Sequence, residues 1–159
     1  MRRKVLLSGA IVVVILGGFG LYWFQPWKLF TSSRIDETAP AGATTVASGT
    51  LITHEHATSG RAELMSLPDG RHQLVLRDLA TSDGPDLRIW LTDQPVVDGQ
   101  AGWSLFDDGK WVELGRLKAT HGTQVYDVPR GTDVVQFTSV TIWCRRFAVS
   151  FGAADLSQK

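Results

Sequence analysis

The sequence predicts an all-β fold, a β-sandwich or barrel-like domain, following a single N-terminal transmembrane helix. Three observations carry this. Short runs rich in Val, Ile, Leu, Phe and Trp recur through the C-terminal two-thirds, with turn residues between them. No segment of that region sustains a helical period. Before it, residues 5–24 form an uncharged, mostly apolar run, long enough as a helix to span the roughly 30 Å of a bilayer core.

Arg2, Arg3 and Lys4 precede the apolar run, and Lys28 is the only nearby basic residue after it. By the positive-inside rule the N-terminus stays in the cytoplasm and the rest is extracytoplasmic. Tyr22, Trp23 and Trp27 stand where an interfacial aromatic belt would stand. The alternative is a cleaved signal peptide, which needs small residues just after the apolar core. That place holds Leu21-Tyr22-Trp23-Phe24-Gln25-Pro26, so a retained single-pass anchor in the cell membrane is the expectation. The anchor's glycines, Gly9, Gly17, Gly18 and Gly20, lack the four-residue spacing of a helix-dimer motif.

The expected organisation is a cytoplasmic stub and anchor at residues 1–24, a flexible linker at 25–47, a β-domain at 48–156 and a tail at 157–159. The linker reading rests on small, polar stretches such as Thr31-Ser32-Ser33 and Pro40-Ala41-Gly42-Ala43. Setting aside Arg2, Arg3 and Lys4, 13 basic residues face 16 acidic ones. No basic run appears, which argues against nucleic acid as a partner.

Within the domain, residues 62–67 lead through Pro68-Asp69-Gly70 into residues 72–76, a hairpin signal. Residues 87–91 alternate after the turn Asp83-Gly84-Pro85-Asp86, and residues 110–114, 124–128, 134–142 and 147–151 continue the series. Pro85, Pro95 and Pro129 fall between runs, where a sheet tolerates them. Val140, Ile142 and Cys144 share one parity, and Phe147, Val149 and Phe151 the other. A bulge at Arg145 or Arg146 would turn both sets inward.

Cys144 is the only cysteine. An exported domain normally uses cysteines in pairs, so this one is a small buried apolar residue, an intermolecular link or a thiol kept for chemistry. Arg145 and Arg146 would lower its pKa if they lay within a few Å, and burial would raise it. His54 and His56 would share a strand face, and could share a metal, if residues 50–56 were extended. There is no C-x-x-C-H for covalent haem, and no histidine or methionine follows Cys144 to complete a blue-copper set. No calcium-loop spacing, G-x-S-x-G, H-E-x-x-H or phosphate loop is present. No metal site is therefore expected.

An ordered set of motifs spans the domain: Gly49, His56 with Gly60, Asp69-Gly70, Gly84-Pro85-Asp86-Leu87 and Leu91. It continues through Leu114-Gly115-Arg116-Leu117-Lys118, Gly122, Gln124, Tyr126, Val128-Pro129, Trp143-Cys144 with Phe147, and residues 151–156. This set resembles the DM-thirteen domain family, small β-rich domains often found with DOMON domains and proposed to act in electron transfer. Val125 departs from the family's usual polar residue. The resemblance implies a redox role for Cys144, as a naked thiol or as ligand to a prosthetic group such as haem, with His56 as a second cofactor-binding candidate. It implies an electron-transfer or binding module rather than a turnover enzyme, with an extracytoplasmic redox or protein partner. The contrasting expectation is a structural or adhesive ectodomain in which Cys144 is inert core.

Overall fold

The computed structural model describes residues 2–158 of the 159-residue chain, with side chains in the first helix from Ile11 onward. Helix α1 runs Arg2–Phe24 and a short 3-10 turn follows at Pro26–Phe30. Among the described residues no helix is long and apolar enough to cross a membrane. The side chains of Arg2, Arg3 and Lys4, which enter the anchor reading, lie outside the described ones, as does Lys159 of the expected tail.

Ten strands follow: β1 Thr44–Thr50, β2 Ile52–Thr53, β3 Ser59–Ser66, β4 His72–Ala80, β5 Leu87–Thr92, β6 Trp111–Arg116, β7 His121–Asp127, β8 Ser139–Cys144, β9 Val149–Asp155 and β10 Ser157–Gln158. They form two five-stranded sheets, β10-β1-β3-β4-β7 and β2-β9-β8-β5-β6, with antiparallel pairing throughout. The all-β expectation thus resolves to a sandwich-like pair of sheets. Period-two patterning explains the core between them. Ala62 and Leu64 of β3, Leu74 and Leu76 of β4, Leu87, Ile89 and Leu91 of β5, and Val140, Ile142 and Cys144 of β8 all point inward. The second sheet is also covered on its outer face. The loop between β5 and β6 lays Phe106 over Trp90, Trp143 and Ala153. Residues on both parities of β8 are therefore buried, which is why residues 139–144 read as a continuous apolar and small run.

Several elements differ from the sequence reading. Val134–Gln136 is a 3-10 turn rather than strand, because the Asp133 side chain accepts the Val135 N–H and caps it. Residues 145–148 form a tight turn between β8 and β9, with Ala148 at a φ of 50°, rather than a bulge inside one strand. The parity change falls within β9 instead: Ile142 pairs with Gly152 and Trp143 with Ser150, leaving Phe151 as the extra residue. Val149 before the bulge, Phe151 at it, and Ala154 and Leu156 after it then all reach the main core. Phe147, expected inward, sits on the turn 40 % exposed and stacks on Phe24 with ring centroids 5.7 Å apart.

The segment expected as a flexible linker is docked over part of its length. The Ile35 and Glu37 N–H groups donate to the His121 and Thr123 carbonyls along β7. Lys118 Nζ donates to Glu37 at 2.8 Å, and Glu37 in turn accepts the Val125 N–H at 2.8 Å. Gly122, at a φ of 99°, allows this approach, since a Cβ there would collide with the Ile35 carbonyl. Strand pairing also begins at Thr44, ahead of the expected domain start at Ser48, and the expected tail contributes Ser157–Gln158 as β10 against β1.

Candidate functional site

Cys144 closes β8, paired with Leu87 of β5 and Val149 of β9. It is fully buried, with 0 % exposure, inside the main core. Burial is the largest influence on the thiol and pushes its pKa up, while the backbone N–H groups of Phe147, Arg146 and Asp86 pull it down. The turn following β8 places two of these three groups, and the Arg145 N–H bond to the Asp86 carbonyl, 3.0 Å, holds the third segment against it.

The arginines do not face the sulfur. Arg145 lies 3.7 Å from Glu113, half exposed. Arg146 donates to the Tyr22 and Trp23 carbonyls at 3.0 and 2.8 Å and sits over both rings. Of the two effects weighed from the sequence, burial therefore dominates, because both guanidinium groups are engaged elsewhere. Haem, which the family resemblance implies as a group for Cys144 to hold, does not fit there. The sulfur faces packed apolar side chains with no open space for a macrocycle.

The two histidines diverge rather than share a strand face. β2 ends at Thr53 and the chain bends through residues 54–56. His54 is buried beneath the loop between β5 and β6. Its Nδ1 is 2.8 Å from Ser150 Oγ, which accepts the Thr141 hydroxyl at 2.8 Å, and its ring stacks on Phe106. Burial lowers the His54 pKa, so the ring is neutral at pH 7, and Nε2 has no hydrogen-bond partner. His56 turns outward over Phe151, ring centroids 3.9 Å apart, with Nε2 2.6 Å from Glu55 Oε2. Among the described residues no group of three or more His, Cys, Asp or Glu side chains is arranged to hold a metal ion.

His56 lines a pocket of about 550 Å³ that sequence reasoning missed. Its walls come from distant parts of the chain: Phe24, Gln25, Pro26 and Lys28 after α1, Glu55 and His56, Asp83 to Pro85, Trp103, and Phe147, Val149 and Phe151 around the Cys144 turn. Val149 is the strand partner of Cys144, so the pocket lies at the thiol's end of the sandwich. The one legible signal was composition. Aromatic residues flank the Cys144 turn and end the first helix, but nothing in the sequence says that they meet.

Many of the motif residues prove to be structural. Tyr126 donates to Gln124 Oε1 at 2.6 Å, and Gln124 Nε2 donates to the Ala119 carbonyl at 2.6 Å. The Lys118 N–H donates to the Tyr126 hydroxyl at 3.1 Å. These bonds tie the segment after β6 to β7 and satisfy a fully buried Gln124, which accounts for the Gln-x-Tyr piece without any chemistry. Asp86 has a similar role. It takes Arg88 Nε at 2.7 Å, Arg88 reaches Glu113 at 2.7 Å, and Glu113 accepts the Trp90 indole N–H at 3.2 Å.

No curated protein and no solved structure matches the chain. The sequence profile of the family described as electron transfer DM13 does match, over residues 50–156, from the end of β1 to the close of the second sheet. That span covers the whole second sheet, strands β3, β4 and β7 of the first, the buried cysteine and the polar ties just described, so the chain belongs to the DM13 electron-transfer family.

Proposed function

We propose that the chain is a membrane-anchored, extracytoplasmic electron-transfer module whose redox centre is Cys144. The observation that carries this reading is the match of residues 50–156 to an electron-transfer family. Two features support its finer parts. The apolar run at residues 5–24 behind three basic residues has the composition of a retained anchor. The backbone N–H groups of Phe147, Arg146 and Asp86 act against burial and favour a thiolate once the sulfur is reached. Burial keeps the thiol protonated at rest, so this reading requires local opening of the turn at residues 145–148, whose Ala148 is held at a left-handed φ. A redox or protein partner would act on that turn.

The test compares alkylation of Cys144 in the native chain with that in denatured chain, beside Cys144→Ser in a cellular redox assay. A native reaction that persists through opening of the turn, and loss of redox function in Cys144→Ser, are the expected results. Mass spectrometry of the membrane fraction tests the anchor: an intact N-terminal segment is expected, and a mature N-terminus within residues 20–45 overturns it.

A second reading is a structural or adhesive ectodomain in which the cysteine is inert. The complete burial of Cys144 and its raised pKa favour it. A native thiol that never reacts, together with wild-type behaviour of Cys144→Ser, would establish it.

A further inference from the structure

The outer face of the second sheet carries a row of indoles. Three neighbouring strands give one each: Trp143 on β8, Trp90 on β5 and Trp111 on β6, the edge strand. Single-residue alternation puts them there, since Ile89 and Leu91 flank Trp90, and Ile142 and Cys144 flank Trp143, on the inward face. Trp90 stacks on Trp111 with ring centroids 4.1 Å apart and an interplanar angle of 7°. It also stacks on Trp143, at 5.2 Å and 28°. Trp90 and Trp143 are buried, while Trp111 is 45 % exposed.

Packing explains the two buried rings, which share a layer with Phe106. It does not require an indole at the exposed position. Indole gives up an electron without losing a proton more readily than a phenol or benzene ring does. Electron exchange between π systems falls steeply with separation, so stacked indoles pass a single electron readily. A carboxylate belongs to the row as well. The Trp90 Nε1–H donates to Glu113 Oε2 at 3.2 Å. An oxidised indole is a strong N–H acid, and a carboxylate is a ready acceptor for its proton. Arg88 at 2.7 Å and Arg145 at 3.7 Å hold Glu113 in place.

We propose that Trp111, Trp90 and Trp143 form a one-electron relay that opens to the surface at Trp111, with Glu113 as the proton acceptor for Trp90. The partner is an outer-sphere one-electron oxidant of the metal-complex class, seated on the exposed face of Trp111. Trp111 gives it one electron, which leaves the partner reduced by one and Trp111 a radical cation. Trp90 then refills Trp111 with one electron and passes its N–H proton to Glu113, leaving a neutral indolyl radical beside a protonated carboxyl. An electron from Trp143, with the proton returning from Glu113, restores Trp90 and moves the radical cation to Trp143. The relay deepens the electron-transfer reading above and rests on it, but not on Cys144 as the redox centre, since Trp143 and Cys144 point to opposite faces of β8.

The test uses the full chain in detergent, carrying Trp23→Phe and Trp27→Phe so that the exposed indoles at the end of α1 do not compete. A ruthenium tris-bipyridine photo-oxidant with a sacrificial acceptor starts the reaction. Transient absorption follows the radicals, and peptide mass spectrometry locates the oxidised indoles. A radical cation that gives way to a neutral indolyl radical is expected, with oxidation products at the buried Trp90 and Trp143 as well as at Trp111. Trp111→Phe keeps an aromatic cover and should remove the products at Trp90 and Trp143. Glu113→Gln keeps an acceptor oxygen but is no base, so the neutral radical should diminish while the cation persists. Circular dichroism should report both variants folded. Cys144→Ser should relay as the parent chain does, which separates failure of the relay from failure of the cysteine-centred reading. The proposal is overturned if oxidation stays confined to Trp111, if Trp111→Phe leaves Trp90 and Trp143 oxidised, or if Glu113→Gln leaves both radical signals unchanged.

Discussion

At Cys144, three backbone N–H groups oppose burial and lose, so the thiol is expected to be slow. At pH 8.5 its native alkylation rate should fall well below that of the unfolded chain, and stopped reactions resolved by mass spectrometry will show it. Cys144→Ala should cost about 1 kcal/mol through the small void it leaves. Trp143→Ala, one residue earlier and on the opposite face of β8, should cost about 3–5 kcal/mol, because it empties the layer under Phe106. Urea unfolding of the two variants compares them directly. His54 adds a pH term. Its folded pKa is depressed by burial, so between that value and the unfolded 6.5 the unfolded chain binds more protons. The stabilisation is complete above 6.5 and is lost as pH falls through that window. His54→Phe should flatten the melting temperature between pH 7 and 5, and an unchanged slope would refute the assignment.

The first docked element is held by a different titration. Lys118 and the Val125 N–H keep the Glu37 carboxyl below its ordinary value of 4.5. The folded pKa being the lower one, the docking energy is present above 4.5 and is lost as pH falls through the folded value. The protection factors of the Ile35 and Glu37 amides should therefore fall as pH drops below 4.5 while the β4 amides stay protected. Gly122→Ala attacks the same contact from the strand side. With φ at 99° and the Ile35 carbonyl in the way, it should cost about 1–3 kcal/mol and release residues 33–37 from β7. A variant that keeps slow exchange at Ile35 would contradict this. The turn at residues 145–148 is the other element whose role came only from packing: it carries Phe147 to Phe24 and Arg146 to the end of α1.

For the whole molecule, the two sheets share one core without a disulfide, since Cys144 is alone in the sequence. A domain of roughly this size buries enough apolar surface to need no cross-link. A chain beginning at Ser33 should show β-type circular dichroism and a melting curve indifferent to reductant. Unfolding on mild reduction, or strong helical content, would contradict the fold. Such a chain keeps the β7 docking segment but lacks the Phe24 wall, so it should retain stability while losing part of the pocket.

Local chemistry determined the strands and turns. Alternation in β5 and the Pro68-Asp69-Gly70 turn between β3 and β4 made these strands legible, because side-chain period and turn chemistry are local properties of the chain. The ordered motifs determined the family. Other features depended on contacts between distant residues, which no local pattern encodes. The bulge moved to Phe151 because the turn at residues 145–148 absorbed the residues expected to form it. His54 and His56 separated because β2 stops after two residues, where Thr58 and Phe151 anchor the bend. The arginines beside Cys144 left it because Glu113 and the α1 carbonyls offer them better partners at the surface than a desolvated thiol does. Tertiary structure alone decided that the cysteine is closed and that the open site lies next to it, because burial and cavity shape are properties of packing between sheets and the α1 end rather than of any one segment.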